Sequence, residues 1–277
     1  PAMAVAIGYA LKCPPLVLFS MVPVGWASNA LGGSAGGPLA VFVIAIVAAE
    51  VGKMVSKETP VDVLVTPLVT IFAGVALAAL IAPPIGAGAN YVGALIKRAT
   101  VLQPFWMGII VSASVGIALT LPISSAAICH SFNLVGLAGG AAVAGCCANM
   151  VGFAVMSFRE NRWGGLIAQG LGTSMLQMGN IIRRPQIWLP TIITSAVTGP
   201  LSTVVFKLKN TGVSAGMGTS GLVGPLGVIG AEGEMGAFQW IGLVLICVVI
   251  PAVLTLALSE LMLKLKLYKS EDMKLDL

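Results

Sequence analysis

Long apolar stretches alternate with short polar connections along almost the whole chain. The stretches cover residues 1–11, 14–30, 37–52, 63–83, 104–122, 134–157, 163–181, 186–206, 212–232 and 238–263. Several of them reach the ~20 apolar residues that an α-helix needs to cross ~30 Å of hydrocarbon. The two-residue alternation typical of transmembrane β-strands is weak. The pattern therefore predicts an all-α polytopic integral membrane protein with roughly eight to ten apolar segments.

Composition and charge agree with this class. Hydrophobic residues make up 57% of the chain and charged residues 9%, against about 25% charged residues in a typical soluble domain. The net charge of +5 is spread over the segment ends, which is not the pattern of a nucleic-acid-binding protein. The densest basic cluster follows the last apolar segment, and it consists of Lys264, Lys266, Lys269 and Lys274.

This basic cluster orients the predicted helices. Because basic loops stay on the cytoplasmic side, we expect a single transmembrane domain over residues 1–264 and a short cytoplasmic tail over 265–277. The chain begins at Pro1, inside an apolar run that is already under way. We therefore expect that an N-terminal portion, of the order of one span, precedes this sequence.

Residues suited to metal, redox or phosphate chemistry are scarce. The cysteines lie in apolar surroundings without CxxC spacing, which predicts small buried side chains. With His130 as the single histidine, a zinc site is not expected. No Gly-rich stretch continues into the GK[ST] of a phosphate-binding loop, and no GxSxG or HExxH motif occurs. We expect neither a metal nor a cofactor, and no enzyme activity.

A glycine occupies every third position from Gly218 to Gly236, in GTSGLVGPLGVIGAEGEMG. Irregular backbone at membrane depth is tolerated only where it is buried in protein or lines a watery cavity, so this stretch predicts a polar pathway. It ends with Glu232 and Glu234. A carboxylate near hydrocarbon costs roughly 2.5–3.5 kcal/mol and usually faces a cavity. Both glutamates are candidate solute ligands; the alternative is a solvent-exposed loop before the last span.

Segment 163–181 carries a second group of candidates. Gln169, Thr173, Gln177 and Asn180 are spaced i, i+4, i+8 and i+11, which places them on one face of a helix. Such a stripe suits hydrogen bonding to a sugar or polyol; the alternative is an amphipathic helix in the membrane interface. Segments 163–181 and 212–232 are both interrupted by glycines, a pattern typical of the broken helices that form transporter binding sites.

His130 lies in the string ICHSFN, with Asn133 three residues further on. If this segment is helical, the two side chains share a face. An ionisable residue in a membrane segment is a functional candidate, so we predict that both contact the solute. The alternative is an interior histidine that is bonded to a backbone carbonyl.

Three strings carry a resemblance to a known family. They are PISSAAICHSFNLVGLAGGAAVAGCCANMVGF (122–153), NIIRRPQIWLPTIITSAVTGPLSTVVFKLKNT (180–211) and GVSAGMGTSGLVGPLG (212–227). From about residue 33 onward the chain resembles the membrane IIC-like proteins of the bacterial phosphotransferase system, in the branch that includes the perfringolysin O regulator type. The resemblance implies a homodimer in the bacterial inner membrane, with a scaffold part and a substrate-holding part that contains re-entrant hairpins.

The resemblance also implies roles for individual residues. Sugar-transporting IIC proteins hold their substrate with a histidine and with a glutamate in a G-x-x-E-P-type loop. Here GAEGEMG (230–236) would supply Glu232, although no proline follows the acid, and His130 would be the histidine. The chain has no room for a phosphotransfer domain, so separate soluble phosphotransferase-system proteins would carry out any phosphotransfer.

These observations predict a membrane carrier that binds a small hydroxylated or acidic, sugar-like solute and moves it by alternating access. Its partners would be the solute, the lipid bilayer, a second copy of the chain and soluble phosphotransferase-system proteins, without nucleic acid. The main alternative is a membrane-embedded ligand sensor that regulates gene expression without transport. A third possibility is an ion-conducting pore lined by glycine carbonyls.

Overall fold

The computed structural model describes residues 1–275, so the last two residues of the predicted tail, 276–277, lie outside the described residues. Within this range the chain is helical and has no β-strand. The α-helices are α1 (Ala2–Ala10), α2 (Pro15–Val55), α3 (Asp62–Ala99), α4 (Pro104–Thr120), α5 (Ser125–Ser131), α6 (Leu137–Met156), α7 (Phe158–Ile167), α8 (Met178–Arg183), α9 (Leu189–Pro200), α10 (Gly212–Ala215), α11 (Val223–Glu232), α12 (Ala237–Val244) and α13 (Ile250–Lys264).

Several of these helices join through tighter or wider helical turns. The 3₁₀ turns are Ser174–Gln177, Pro185–Trp188, Ser220–Leu222 and Ser270–Met273, and the π turns are Ala168–Gly172, Leu201–Val205 and Leu245–Val249. Six stretches among the described residues are long and apolar enough to cross a membrane. They are Pro15–Gly33, Ala35–Val55, Asp62–Ala99, Leu137–Met156, Pro185–Val205 and Ala237–Lys264. The predicted class of all-α polytopic membrane protein is confirmed.

Residues 1–92 form one compact unit. Its core contains small and medium apolar side chains from α1, α2 and α3, including Met21, Ile44 and Ala78. Helix α2 breaks at Gly33, whose φ of 68° lies in the left-handed region that glycine adopts without steric cost. Just after the break, Gly36 faces Gly86 so closely that a Cβ added to Gly36 would lie 2.6 Å from the Gly86 Cα. Small residues thus let α2 and α3 approach each other, as is common in membrane helix pairs.

The chain from Gly93 onward forms a second compact unit, and α6 lies at its centre. Of the apolar window of α6, 94% is buried. The glycines of α6 make this possible, because Gly145 lies against the backbone carbonyl of Ser112 in α4 with no room for a Cβ. Contacts from Ser112 to Gly145 and from Gly116 to Asn149 show that α4 and α6 run parallel. Helix α9 runs in the opposite direction.

Two broken hairpins enter this second unit from opposite ends of α6. The first, residues 207–232, is called the glutamate-end hairpin. Its tip is at Thr219, beside Met150, and its second arm ends at Glu232, which bonds to the backbone of Lys209. Residues 163–183, the basic-end hairpin, turn near Thr173 and return to Asn180. The broken hairpins predicted for segments 163–181 and 212–232 are confirmed.

Helix α3 is longer than the apolar pattern predicted. The predicted segment ended at residue 83, whereas α3 continues through Pro83 and Pro84 to Ala99. A proline removes one backbone donor, but membrane helices tolerate this where neighbouring groups satisfy the freed carbonyl. The prediction of one transmembrane domain over 1–264 stays a prediction.

Candidate functional site

The residues predicted to bind solute lie at two opposite ends of the second unit. We call the end formed by residues 130–136, 207–211 and 230–239 the glutamate end. The end formed by residues 157–162, 180–184 and 260–275 is the basic end. Glu232, Glu234, His130 and Asn133 lie at the glutamate end, whereas Gln169, Thr173, Gln177 and Asn180 belong to the hairpin that enters from the basic end. The structure therefore does not bring all eight residues together.

Glu232 is the most firmly positioned of the predicted ligands. It is the last residue of α11 and half-buried. Its Oε1 accepts a hydrogen bond from the backbone N–H of Lys209 at 2.7 Å, and its Oε2 accepts one from Nε2 of Gln239 at 3.1 Å. An ionised carboxylate offers about four acceptor sites, so each oxygen can accept a further donor. Glu234 follows Gly233, whose φ is 72°, and is exposed.

His130 and Asn133 do not share a helical face, contrary to the prediction. Helix α5 ends at Ser131, and Asn133 has a φ of 52°, a left-handed conformation that asparagine tolerates better than most residues. Both side chains are exposed. His130 lies beside the first residue of α10, since a Cβ added to Gly212 would be 3.4 Å from its Nδ1. Asn133 instead lines a cavity of 420 Å³ that Pro104 also lines.

Three polar residues that the sequence analysis did not single out complete the glutamate end. Buried Asn210 accepts hydrogen bonds at Oδ1 from the Thr211 N–H (2.7 Å) and from the Ser214 Oγ (2.6 Å). Its Nδ2 donates to the carbonyl of Gly224 at 3.1 Å. Its backbone also pairs with that of Gly136. The polar run KNTGVS between two apolar segments was the available signal for this cluster.

The amide residues of the basic-end hairpin form one hydrogen-bonded network, in which Gln169 and Gln177 are buried. Nε2 of Gln169 donates to Oγ of Ser157 (2.8 Å), Nε2 of Gln177 donates to Oε1 of Gln169 (3.0 Å), and Nδ2 of Asn180 donates to Oε1 of Gln177 (2.9 Å). The prediction that they line one face of a continuous helix is wrong. The chain is extended at Thr173, with φ −160° and ψ 142°, and the two arms of the hairpin bring the amides together.

The same network holds the chain's C-terminal segment. Nε2 of Gln177 donates to the Met273 carbonyl (3.0 Å), and Nδ2 of Asn180 donates to the Lys274 carbonyl (2.9 Å). Asn161 bonds to the Met273 carbonyl and to the N–H of Leu275, both at 2.8 Å. The amide donors of Gln177 and Asn180 are thus used inside the protein. Thr173 accepts a hydrogen bond from the N–H of Met175 at 3.1 Å.

A further polar cluster lies in the middle of the second unit, around the buried Asn149 of α6. Its Nδ2 donates to Oγ of Ser195 and to the Gly145 carbonyl, both at 3.1 Å. Its Oδ1 accepts hydrogen bonds from Oγ1 of Thr191 at 3.0 Å and from Nε1 of Trp188 at 3.2 Å. Asn149 is not among the predicted site residues, although it is the one amide among the small and apolar residues of α6.

The tips of the two broken hairpins meet at the same depth. Oγ1 of Thr219 donates to the carbonyl of Gly170 at 2.6 Å and also lies 3.6 Å from the sulfur of Met150. Ser174, four residues beyond Gly170, is 3.0 Å from Oγ1 of Thr120. Irregular backbone from both hairpins is therefore in contact beside the polar cluster around Asn149.

Comparison with known families identifies the chain. A family model described as "Phosphotransferase system, EIIC" matches residues 1–275. The chain belongs to this family. The EIIC assignment confirms the resemblance to the membrane subunits of this system and makes the protein a membrane component of sugar transport. In EIIC proteins, phosphotransfer is done by other domains or partner proteins. No curated protein and no solved structure matches the chain.

Proposed function

We propose that this EIIC protein is the carrier subunit that moves a small hydroxylated or acidic, sugar-like solute across the bacterial cytoplasmic membrane by alternating access. The observation that carries the proposal is the contact between the tips of two broken hairpins that enter from opposite ends. In this proposal, the Thr219–Gly170 hydrogen bond of 2.6 Å would close the solute path between the ends. A sensor that does not transport has no need of hairpins that meet in this way.

The contact between the tips is weak enough to open. Side-chain hydrogen bonds between membrane helices contribute about 0.6 kcal/mol on average, so one such bond stabilises the closed tips only slightly. Both tips have irregular backbone, since Gly170 lies in a π turn and Thr219 directly precedes a 3₁₀ turn; such backbone is tolerated at membrane depth where it is buried or lines a cavity. Movement of either hairpin away from the other would expose the polar residues beside Ser174 and Thr120 to one side of the membrane.

The solute would bind first at the glutamate end. Glu232 can accept hydroxyl donors at both oxygens, and the Gln239 amide that now donates to it is a neutral group that a solute hydroxyl can replace. Thr211 lies on the first arm of the same hairpin and His130 lies beside that arm. Both provide further donors and acceptors, whereas the Ser214 hydroxyl already donates to Asn210. We keep Glu234 and Asn133, both exposed, as residues of the outer approach to the site.

The amide group of the basic-end hairpin has a different role in this proposal. Because the donors of Gln169, Gln177 and Asn180 are already bonded to protein atoms, a solute would have to break those bonds to bind there. We propose that these amides, together with Thr173, hold the shape of the hairpin and so the position of its tip.

We further propose that the basic end faces the cytoplasm. Its basic residues are Arg159, Arg162, Arg183, Arg184, Lys264, Lys266, Lys269 and Lys274. The glutamate end has Lys207 and Lys209, with Lys97 and Arg98 just before Thr100, which lines the same cavity as Asn133. Basic residues near the ends of spans favour the cytoplasmic side. The docked C-terminal segment and the soluble phosphotransferase-system partners would then share this side. We also propose that two copies of the chain form a homodimer.

A thermal-shift screen tests the solute site. Purified protein would be heated with sugars, polyols, ascorbate and small carboxylates, and a ligand at about 100 times its Kd should stabilise it by about 2.7 kcal/mol. Glu232→Gln keeps the shape of the side chain and should abolish this shift. Glu234→Gln is the matched control and should keep most of it. A ligand that stabilises the parent and both variants equally would contradict the role of Glu232.

A further inference from the structure

An apolar groove runs along the outside of the second unit between α6, α7 and α13. It begins at the basic end as a cavity of 390 Å³, whose lining includes Val155, Leu166, Leu256 and Leu263. A second cavity of 290 Å³ shares Val155 and Leu166 with the first and continues towards Val248. The two cavities lie next to each other on either side of these shared residues, and we call them together the α6–α7–α13 groove.

The groove is long enough to span one leaflet of a bilayer. Leu263 lines its outer end and Val248 its inner end. Fifteen residues of helix at 1.5 Å per residue correspond to about 22 Å. Half of a ~30 Å hydrocarbon core is ~15 Å, so the groove extends from the membrane boundary to beyond the middle of the bilayer. A molecule with a straight hydrocarbon chain fits these dimensions.

Charge is confined to the outer end of the groove. Among the residues that line the first cavity, Arg159 and Glu260 are charged and form an ion pair at 2.8 Å, with Arg159 64% exposed. The exposed Arg162 and Lys264 lie next in sequence to lining residues of the same cavity. Arginine has five N–H donors, so the ion pair with Glu260 leaves further N–H groups of Arg159 that can donate to a phosphate. Trp163, 68% exposed, suits the membrane–water boundary.

We propose that the α6–α7–α13 groove binds one anionic phospholipid. Its phosphate would contact Arg159 at the basic end, and one acyl chain would lie in the apolar part of the groove. Basic pockets at the cytoplasmic side of membrane helices favour anionic head groups, whereas the uncharged remainder of the groove offers little to a sugar. The inner cavity is also lined by Gly170 and Thr219, so the end of the acyl chain would touch the hairpin tips and support their closed contact.

Native mass spectrometry of delipidated protein titrated with phosphatidylglycerol or phosphatidylcholine tests this site. The parent should retain phosphatidylglycerol in preference to phosphatidylcholine. Arg159→Gln should weaken phosphatidylglycerol binding about fivefold, the factor that corresponds to about 1 kcal/mol for one basic residue near an anionic surface. Arg183→Gln is the matched control, because Arg183 is exposed at the same end but lines a different cavity, and it should leave binding unchanged.

A second pair of variants tests the acyl-chain part. Leu256→Trp fills the groove and should reduce binding of both lipids, whereas Leu261→Trp on the same helix, at a residue that does not line the first cavity, should not. Equal binding of the two lipids, or unchanged binding in Leu256→Trp, would overturn the proposal. The proposal would also be overturned if the parent forms dimers without lipid and Leu256→Trp dissociates them, because the groove would then be a protein interface. The measurement needs no solute, so its failure leaves the carrier proposal intact.

Discussion

Replacing Asn149 with alanine should destabilise the second unit because this amide joins three of its helices. Asn149 lies on α6 and is completely buried. It bonds to Ser195 and Thr191 of α9, and to Nε1 of Trp188 just before α9. Oγ1 of Thr120, at the end of α4, lies 3.4 Å from its Oδ1. Ser195 and Thr191 can bond to backbone carbonyls instead, but the indole N–H of Trp188 would lose its partner.

The expected loss follows from these contacts. The bonds to Ser195, Thr191 and Trp188 should contribute about 0.6 kcal/mol each, the average for side-chain hydrogen bonds between membrane helices. The removed atoms also leave a small cavity, which costs about 24 cal/mol per Å³ that does not refill. Asn149→Ala should therefore lower the free energy of unfolding by about 2–3 kcal/mol.

Reversible unfolding in mixed detergent–lipid micelles measures this free energy. Gln103→Ala is the control, since Gln103 is exposed and caps α4 without a side-chain hydrogen bond, and it should change stability by less than about 0.5 kcal/mol. A double-mutant cycle with Ser195→Ala should give a coupling free energy of about 0.6 kcal/mol. If Asn149→Ala is as stable as Gln103→Ala, the cluster around Asn149 does not join these helices as described.

Other consequences can be tested with single substitutions. Gly145→Ala should destabilise by about 2 kcal/mol, because its new methyl overlaps the Ser112 carbonyl, whereas Gly179→Ala, with open space around it, should not. Gln177→Ala should lower the free energy of unfolding by about 1–2 kcal/mol and expose residues 268–275 to protease, because it breaks a bond to the Met273 carbonyl. A tail that stays as resistant to protease as in the parent would contradict this. Met273→Ala should release the same segment and lower the free energy of unfolding by about 2–5 kcal/mol, because the Met273 side chain is completely buried. Faster hydrogen exchange of the tail amides would report this release.

The positions of most helices could be predicted because membrane-spanning segments are long and apolar. Segment 238–263 corresponds to Ala237–Lys264, and segment 134–157 contains Leu137–Met156. The exception was the second half of α3. The predicted apolar segment ended at residue 83, whereas α3 continues through Pro83 and Pro84 to Ala99, because a membrane helix can continue through prolines when its free carbonyl is satisfied.

The candidate site was harder to predict because it depends on how irregular segments fold back. Spacing placed Gln169 and Gln177 on one helical face, whereas they meet because the chain turns at Thr173. Asn149 was missed because a single amide in an alanine- and glycine-rich helix gives no periodic signal. Its partners Thr191 and Ser195 lie four residues apart on α9 and so share one face of that helix.

The central claim is that solute passes when the hairpin tips separate. The most direct test is uptake of a labelled solute by proteoliposomes that contain the double variant Gly170→Cys, Thr219→Cys, joined by a short thiol cross-linker. The account predicts that the cross-linked protein transports nothing and that a reducing agent which cleaves the linker restores uptake. Each variant with only one of the two added cysteines, beside the five native ones, should transport throughout. Cross-linked protein that transports as fast as the reduced protein would contradict the account.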